Sequence, residues 1–139
     1  MSAPASSQTI VESARALKNA AVASLWLRGL PVREADGRED PGYDATPYVT
    51  LVMREECGCG RSLDHHEFIL SMHVRGVSCK PREIMRLTEE AERAALTVGT
   101  HLDQWQILQI SAERTRIMRQ VGGVWTGCLS VRALLARKD

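Results

Sequence analysis

Five residues carry the side chains most capable of chemistry: Cys57, Cys59, His65, His66 and, further on, Cys79. Thiolates and imidazoles are the ligands zinc prefers. The spacing does not fit the usual knuckle, which needs two residues between its cysteines where this chain has one. A cysteine nucleophile with His65, His66 or His73 as base is the other chemistry these types allow, but no oxyanion or nucleophile motif accompanies it. His73 alternates with Ser71 and Arg75 on what reads as one strand face, the pattern of a surface histidine. Gly122-Gly123 precedes a strand and not a helix, which removes a dinucleotide loop. No catalytic residue, metal ligand or cofactor-binding residue is therefore assigned. Basic residues cluster locally: Arg114, Arg116 and Arg119, then Arg132, Arg137 and Lys138. A monomer would carry them as a solvated sheet face; a symmetric ring would repeat them around a channel.

The elements that must position these groups are organised around Pro47 to Arg75. The run from Pro47 to Arg54 and the run from Glu67 to Arg75 are rich in β-branched and long apolar residues. In the second, Phe68, Leu70, Met72 and Val74 alternate with Glu67, Ser71, His73 and Arg75, the period of a half-buried strand. Between them, Glu55 to Asp64 carries the glycines of a turn. Two long antiparallel strands joined by a protruding loop follow from this, and Cys57, Gly58, Cys59, Gly60 and Arg61 at its tip are the expected assembly-contact residues.

Around that ribbon, Thr9 with Glu12 three residues on reads as a capping box. Ile10, Ala14, Leu17, Ala21 and Leu25 recur at helical spacing, which predicts a helix over about Ile10 to Leu27. Leu30 to Glu34 reads as a short edge strand, since Pro31 is unsuited to a sheet centre. Asp36 to Thr46 is a polar loop. A second helix is predicted over about Arg82 to Leu96, with Pro81 in its first turn, Ser78 as cap and a stop near Gly99. Trp105 to Ala112 continues after a bend through Met118, and Val124 to Leu134 is the last strand. On that strand Trp125, Leu129, Val131 and Ala133 share one face and Thr126, Cys128, Ser130 and Arg132 the other, with Trp125 as core anchor.

The final hairpin also has a predicted register. A simple two-residue turn at Gly122-Gly123 would set Arg116 opposite Leu129 and mix arginines into the apolar face. A shift of one residue, by an odd-length turn or bulge at Val121 to Gly123, sets Arg116 opposite Cys128 and Arg114 opposite Ser130 instead. The whole reads as an α+β domain, a mostly antiparallel sheet of two β-hairpins with two helices packed on one face. Residues 1–8 form a disordered N-terminal tail and residues 9–135 the single domain.

Composition bounds the function from outside. The chain has 139 residues and a formal charge of +1, one domain's worth with no global pull toward nucleic acid or membrane. No apolar run approaches bilayer length, and the first residues lack the basic start and apolar core of a signal peptide. The four cysteines, without a secretory context, read as reduced thiols of a cytoplasmic protein.

Two stretches resemble a known family. Asp44-Ala45-Thr46-Pro47-Tyr48-Val49-Thr50-Leu51 is similar to the Pro-Tyr-Val-x-Leu start of the first long strand in tail-terminator (tail-completion) proteins of long-tailed bacteriophages and gene transfer agents. Gly123 to Leu134 is similar to that family's last strand, where Trp-x-Gly-x-Leu leads into Arg-Ala. The Ala-rich first helix and acid-rich second helix stand in the expected places, so the resemblance runs from about Ile10 to Leu134. The polar connection from Asp36 to Thr46 and the Cys57-Gly58-Cys59-Gly60 loop depart from the family pattern.

The resemblance implies a structural subunit that forms a homo-oligomeric ring, usually of six. The ring caps the tail tube protein, ends its polymerisation and presents a surface to the head-tail connector (stopper) protein. Double-stranded DNA passes through it without sequence-specific binding. No catalysis, cofactor or membrane is involved. The protein would be cytoplasmic during assembly and then part of the particle at the head-tail junction. Arg114, Arg116 and Arg132 are the expected basic face toward the channel or a neighbouring subunit. The other readings are a connector (stopper) protein, or a small metal-dependent or thiol enzyme using the Cys57–His66 loop.

Overall fold

A computed structural model describes residues 5–33, 47–56, 65–76, 80–119 and 124–138. In chain order these form α1 (Ala5–Leu27), β1 (Val32–Arg33), β2 (Tyr48–Glu56), β3 (His65–Arg75), α2 (Pro81–Leu96), a 3-10 turn (Val98–His101), β4 (Trp105–Arg119) and β5 (Trp125–Arg137). The strands make one sheet in the order β1-β2-β3-β5-β4. Every neighbouring pair is antiparallel except β1 with β2. Two hairpins, β2–β3 and β4–β5, are thus joined through β3 and β5, and both helices lie on one face. The α+β architecture is the one the sequence patterning predicts.

The core lies between helices and sheet. Phe68, Leu70, Met72 and Val74 of β3 alternate inward beside Leu129, Val131, Ala133 and Leu135 of β5, under Leu17, Ala21 and Leu25 of α1 and Ala91, Ala94 and Ala95 of α2. Small residues on both helices let their backbones approach each other and the sheet. Where they meet, the buried Ser24 hydroxyl donates to the Ala94 carbonyl at 2.7 Å, tying α1 to the last turn of α2.

Two irregularities in β4 keep Ile107, Ile110 and Ile117 on the helix-facing side. Its pairing with β5 shifts between Ile107 and Gln109 and again between Ala112 and Arg114. Each shift inserts one residue and reverses the alternation. The inward positions therefore run Trp105, Ile107, then Ile110, Ala112, then Thr115, Ile117. A strictly alternating strand would have pushed Ile110 to the opposite face.

Beyond the second shift, Arg114 pairs with Ser130, Thr115 with Leu129 and Arg116 with Cys128, the register derived above. The pairing of Arg119 with Trp125 makes the connection, residues 120–124, odd in number. The turn conformation expected at Val121 to Gly123 lies outside the described residues.

Three expectations are corrected. Helix α1 starts at Ala5 and not after Thr9, so residues 5–8 are helical and not tail. The Glu12 carboxylate takes a hydrogen bond from Arg137 at 3.3 Å in place of a capping box, and nothing after Pro4 breaks the helix. At α2 the cap position is Lys80, with no side-chain cap and Pro81 at the helix start, so Ser78 stands too early in the chain to be the cap. Trp125 shares the inward face but sits half-buried near the end of β5, outside the core cluster. The buried tryptophan is Trp105, 3% exposed, at the other end of β4, where the helices and the 3-10 turn close over the sheet.

Candidate functional site

The second face of the sheet carries no helix or strand among the described residues, and its cross-strand rows can be read from the register. One row is Thr50, His73, Cys128 and Arg116; the next is Val52, Ser71, Ser130 and Arg114; a third is Tyr48, Arg75, Thr126 and Met118. Short side chains at the centre flanked by two arginines on the edge strand leave a trough of about 150 Å³ lined by Ser71, Met72, His73, Cys128, Leu129, Ser130, Arg114 and Arg116. No carboxylate lines it.

Burial holds the His73 pKa below the ordinary imidazole value, and the Arg75 guanidinium beside it lowers it further. His73 is thus a neutral ring with one N–H donor near neutral pH. Arg75 Nε is itself buried and makes no hydrogen bond among the described residues. Arg114 and Arg116 are exposed, and neither makes an ion pair with a described residue.

The carboxylates of this face are gathered elsewhere. Arg132, two residues along β5 from Ser130, makes ion pairs with Glu113 at 3.1 Å, Glu67 at 3.3 Å and Glu56 at 4.0 Å. Hydrogen bonds to Glu113 and Glu67 hold its guanidinium above its ordinary range. Arg114, Arg116 and Arg132 do share one face, but Arg132 is the centre of an acidic cluster and adds no free positive charge. The face is therefore polarised, basic toward the Arg75 end of β3 and acidic toward the Glu67 end.

The other candidate chemistry is not assembled. Cys57, Gly58, Cys59, Gly60 and Arg61, together with Cys79, lie outside the described residues. His65 and His66 are consecutive on β3 and point to opposite faces; His66 is buried edge-on against Trp105, with ring centroids 6.0 Å apart. Among the described residues no group of three or more His, Cys, Asp or Glu side chains is placed to hold a metal ion. His73 and Cys128 are direct cross-strand neighbours, a pairing the sequence reading missed because β3 and β5 are far apart in the chain. The Cys128 thiol donates to Met118 Sδ at 3.8 Å.

The two edges of the sheet also differ. On one side β4 runs over 15 residues with no described strand beyond it, and Ser111 to Arg116 are exposed throughout. On the other, β1 pairs only with Val49 and Thr50, so no described strand covers the outer edge of β2 from Leu51 to Glu56. Val52 on that segment is 53% exposed. No helix of the described residues is long and apolar enough to cross a membrane. The chain matches no protein-family model and no curated protein sequence.

Proposed function

We propose that this chain is a ring-forming assembly subunit of the tail-terminator kind. The observation that carries the reading is a single sheet with two unlike edges: no described strand covers the outer edge of β4 or the Leu51 to Glu56 segment of β2. A closed ring requires two different patches on each subunit, because its contacts are head-to-tail. Unpaired strand edges supply such patches, since their backbone N–H and C=O groups seek partners. Within the sheet β2 and β4 run antiparallel to each other. A copy related by rotation therefore offers its β2 edge antiparallel to the β4 edge of its neighbour, keeping helix faces on one side and open faces on the other.

The likeness of Asp44 to Leu51 and Gly123 to Leu134 to the tail-terminator strands supplies the partners in this reading. The ring seats on the last disc of the tail tube, blocks addition of further tube subunits and presents its other surface to the connector. DNA passes through its centre. The work is steric and adhesive, and no bond is made or broken.

The test is to remove the gene and image the particles. The reading expects tails of uncontrolled length, unattached to heads, with the normal form restored by the gene in trans. Tails of normal length that fail to join heads would make this a connector instead. Unchanged particles would remove the reading altogether.

A further inference from the structure

The two helices turn opposite flanks to the two edges of the sheet. Helix α1 lies over β1, β2 and β3, and α2 over β5 and β4. Within the subunit they meet along one side, where Ser24 donates to the Ala94 carbonyl and Arg28 pairs with Glu90 at 3.0 Å. These contacts advance along α1 as they retreat along α2, so the helices run antiparallel. Away from that seam, Glu92 accepts a hydrogen bond from the Thr115 hydroxyl of β4 at 2.7 Å, which places the outer flank of α2 above the β4 edge. The outer flank of α1 faces the Leu51 to Glu56 segment of β2 across a groove of about 670 Å³ whose lining includes Val11, Lys18, Val22 and Met53.

Positions i, i+4, i+7 and i+11 share one side of a helix. On the outer flank of α1 they read Val11, Arg15, Lys18 and Val22; on the outer flank of α2 they read Met85, Glu89, Glu92 and Leu96. The spacing and the order of apolar and charged residues are the same, and the charges are opposite. Val11, Met85 and Leu96 are exposed large apolar side chains. Arg15, Lys18 and Glu89 make no ion pair with a described residue. Laid antiparallel, the flanks set Val11 against Leu96, Arg15 against Glu92, Lys18 against Glu89 and Val22 against Met85. We infer that they are the two halves of one interface, and that the occupant of the α1 groove is the α2 flank of a second copy of this chain.

The dimensions of the two layers agree. The long strands β2, β3, β5 and β4, at a spacing of about 4.8 Å, cover about 19 Å. Two helices of about 10 Å diameter cover nearly the same width, so strand edges and helix flanks of adjacent copies reach each other together. Of the four charged residues lining the α1 groove, three are basic, Arg15, Lys18 and Arg54, and one is acidic, Glu55; an acidic flank suits it and a basic one does not. Exposed ion pairs add little affinity. Here they select the partner and the register, while the apolar ends supply buried area. Because the two flanks lie on opposite sides of one subunit, the contact is head-to-tail. Its place beside the sheet edges rests on the ring reading; the match between the flanks does not.

The test is the solution mass, by analytical ultracentrifugation, of the full chain and of two double variants, Arg15→Glu with Lys18→Glu and Glu89→Lys with Glu92→Lys. The unaltered chain associates to at least twice the mass of one chain at low salt and less at about 1 M, where charges are screened beyond about 3 Å. The first variant has two acidic flanks and the second two basic ones, so each alone falls to the mass of a monomer. Mixed in equal amounts they associate again in alternation, which also shows that both are folded. Lys18→Glu mixed with Glu89→Lys repeats the experiment on a pair that leaves the Glu92–Thr115 bond intact. An unaltered chain that stays monomeric up to its solubility limit, association that survives both reversals, or mixtures of both pairs that remain monomeric would overturn the assignment. The two proposals fail separately. Copies that associate through the flanks, with particles unchanged when the gene is removed, keep the interface and lose the tail ring; a ring at the head-tail junction that tolerates both reversals does the opposite.

Discussion

Gly127 of β5 lies directly beneath Thr88 of α2, so closely that a Cβ at Gly127 would overlap the Thr88 hydroxyl. That hydroxyl is held in place by donating to the Ile84 carbonyl one turn back, at 2.7 Å. The glycine therefore sets how near α2 comes to the sheet.

Gly127→Ala is expected to destabilise the fold by about 1–3 kcal/mol through overpacking. Adding Thr88→Ala removes the nearest atom and should return part of the loss. Urea midpoints of the two variants check this; equal midpoints for Gly127→Ala and the unaltered chain would show that α2 gives way freely.

The same position illustrates what was legible in the sequence and what was not. Alternation places Leu129 and Val131 on one face and Ser130 and Arg132 on the other, and the conflict of arginines with apolar residues points to the β4–β5 register. Period alone could not show that β5 inserts between β3 and β4, because that pairing joins residues separated by a helix and a strand. The trough, which needs β3 beside β5, was hidden for the same reason. Arg132 looked like free positive charge since Glu56, Glu67 and Glu113 come from three other strands or irregular positions. Trp125 sits on the apolar face, but a face does not say how near the end of the sheet a residue lies.

The tryptophans should rank accordingly. Trp105→Ala is expected to cost about 3–5 kcal/mol, the range for a buried large aromatic. Trp125→Ala should cost less than half of that. Denaturation midpoints in the opposite order would move the anchor back to Trp125.

His73 gives the stability a pH dependence of known sign. Its pKa in the folded chain lies below the unfolded value of about 6.5, so the unfolded state binds the proton more readily. Its contribution is fully present above about pH 6.5 and is lost as pH falls through the folded pKa. His73→Gln should flatten that part of the profile. Urea midpoints that fall equally in both proteins between about pH 7.5 and 5.5 would contradict this assignment.

Arg132→Met leaves Glu56, Glu67 and Glu113 facing one another without their shared cation. The variant should be less stable than the unaltered chain at low salt and should gain stability as salt screens the repulsion over about 10 Å at 0.1 M. In the unaltered chain salt weakens attraction here, so the two salt dependences should have opposite sign at this site. Identical dependences would mean that the cluster contributes nothing.

The central claim is best tested by electron cryo-microscopy of the assembled particle. The account predicts a rotationally symmetric ring of this chain between the last tube disc and the connector, with the β4 edge of each subunit against the β2 edge of the next. A single copy, a layer without rotational symmetry, or density for the chain only at another place in the particle would contradict it.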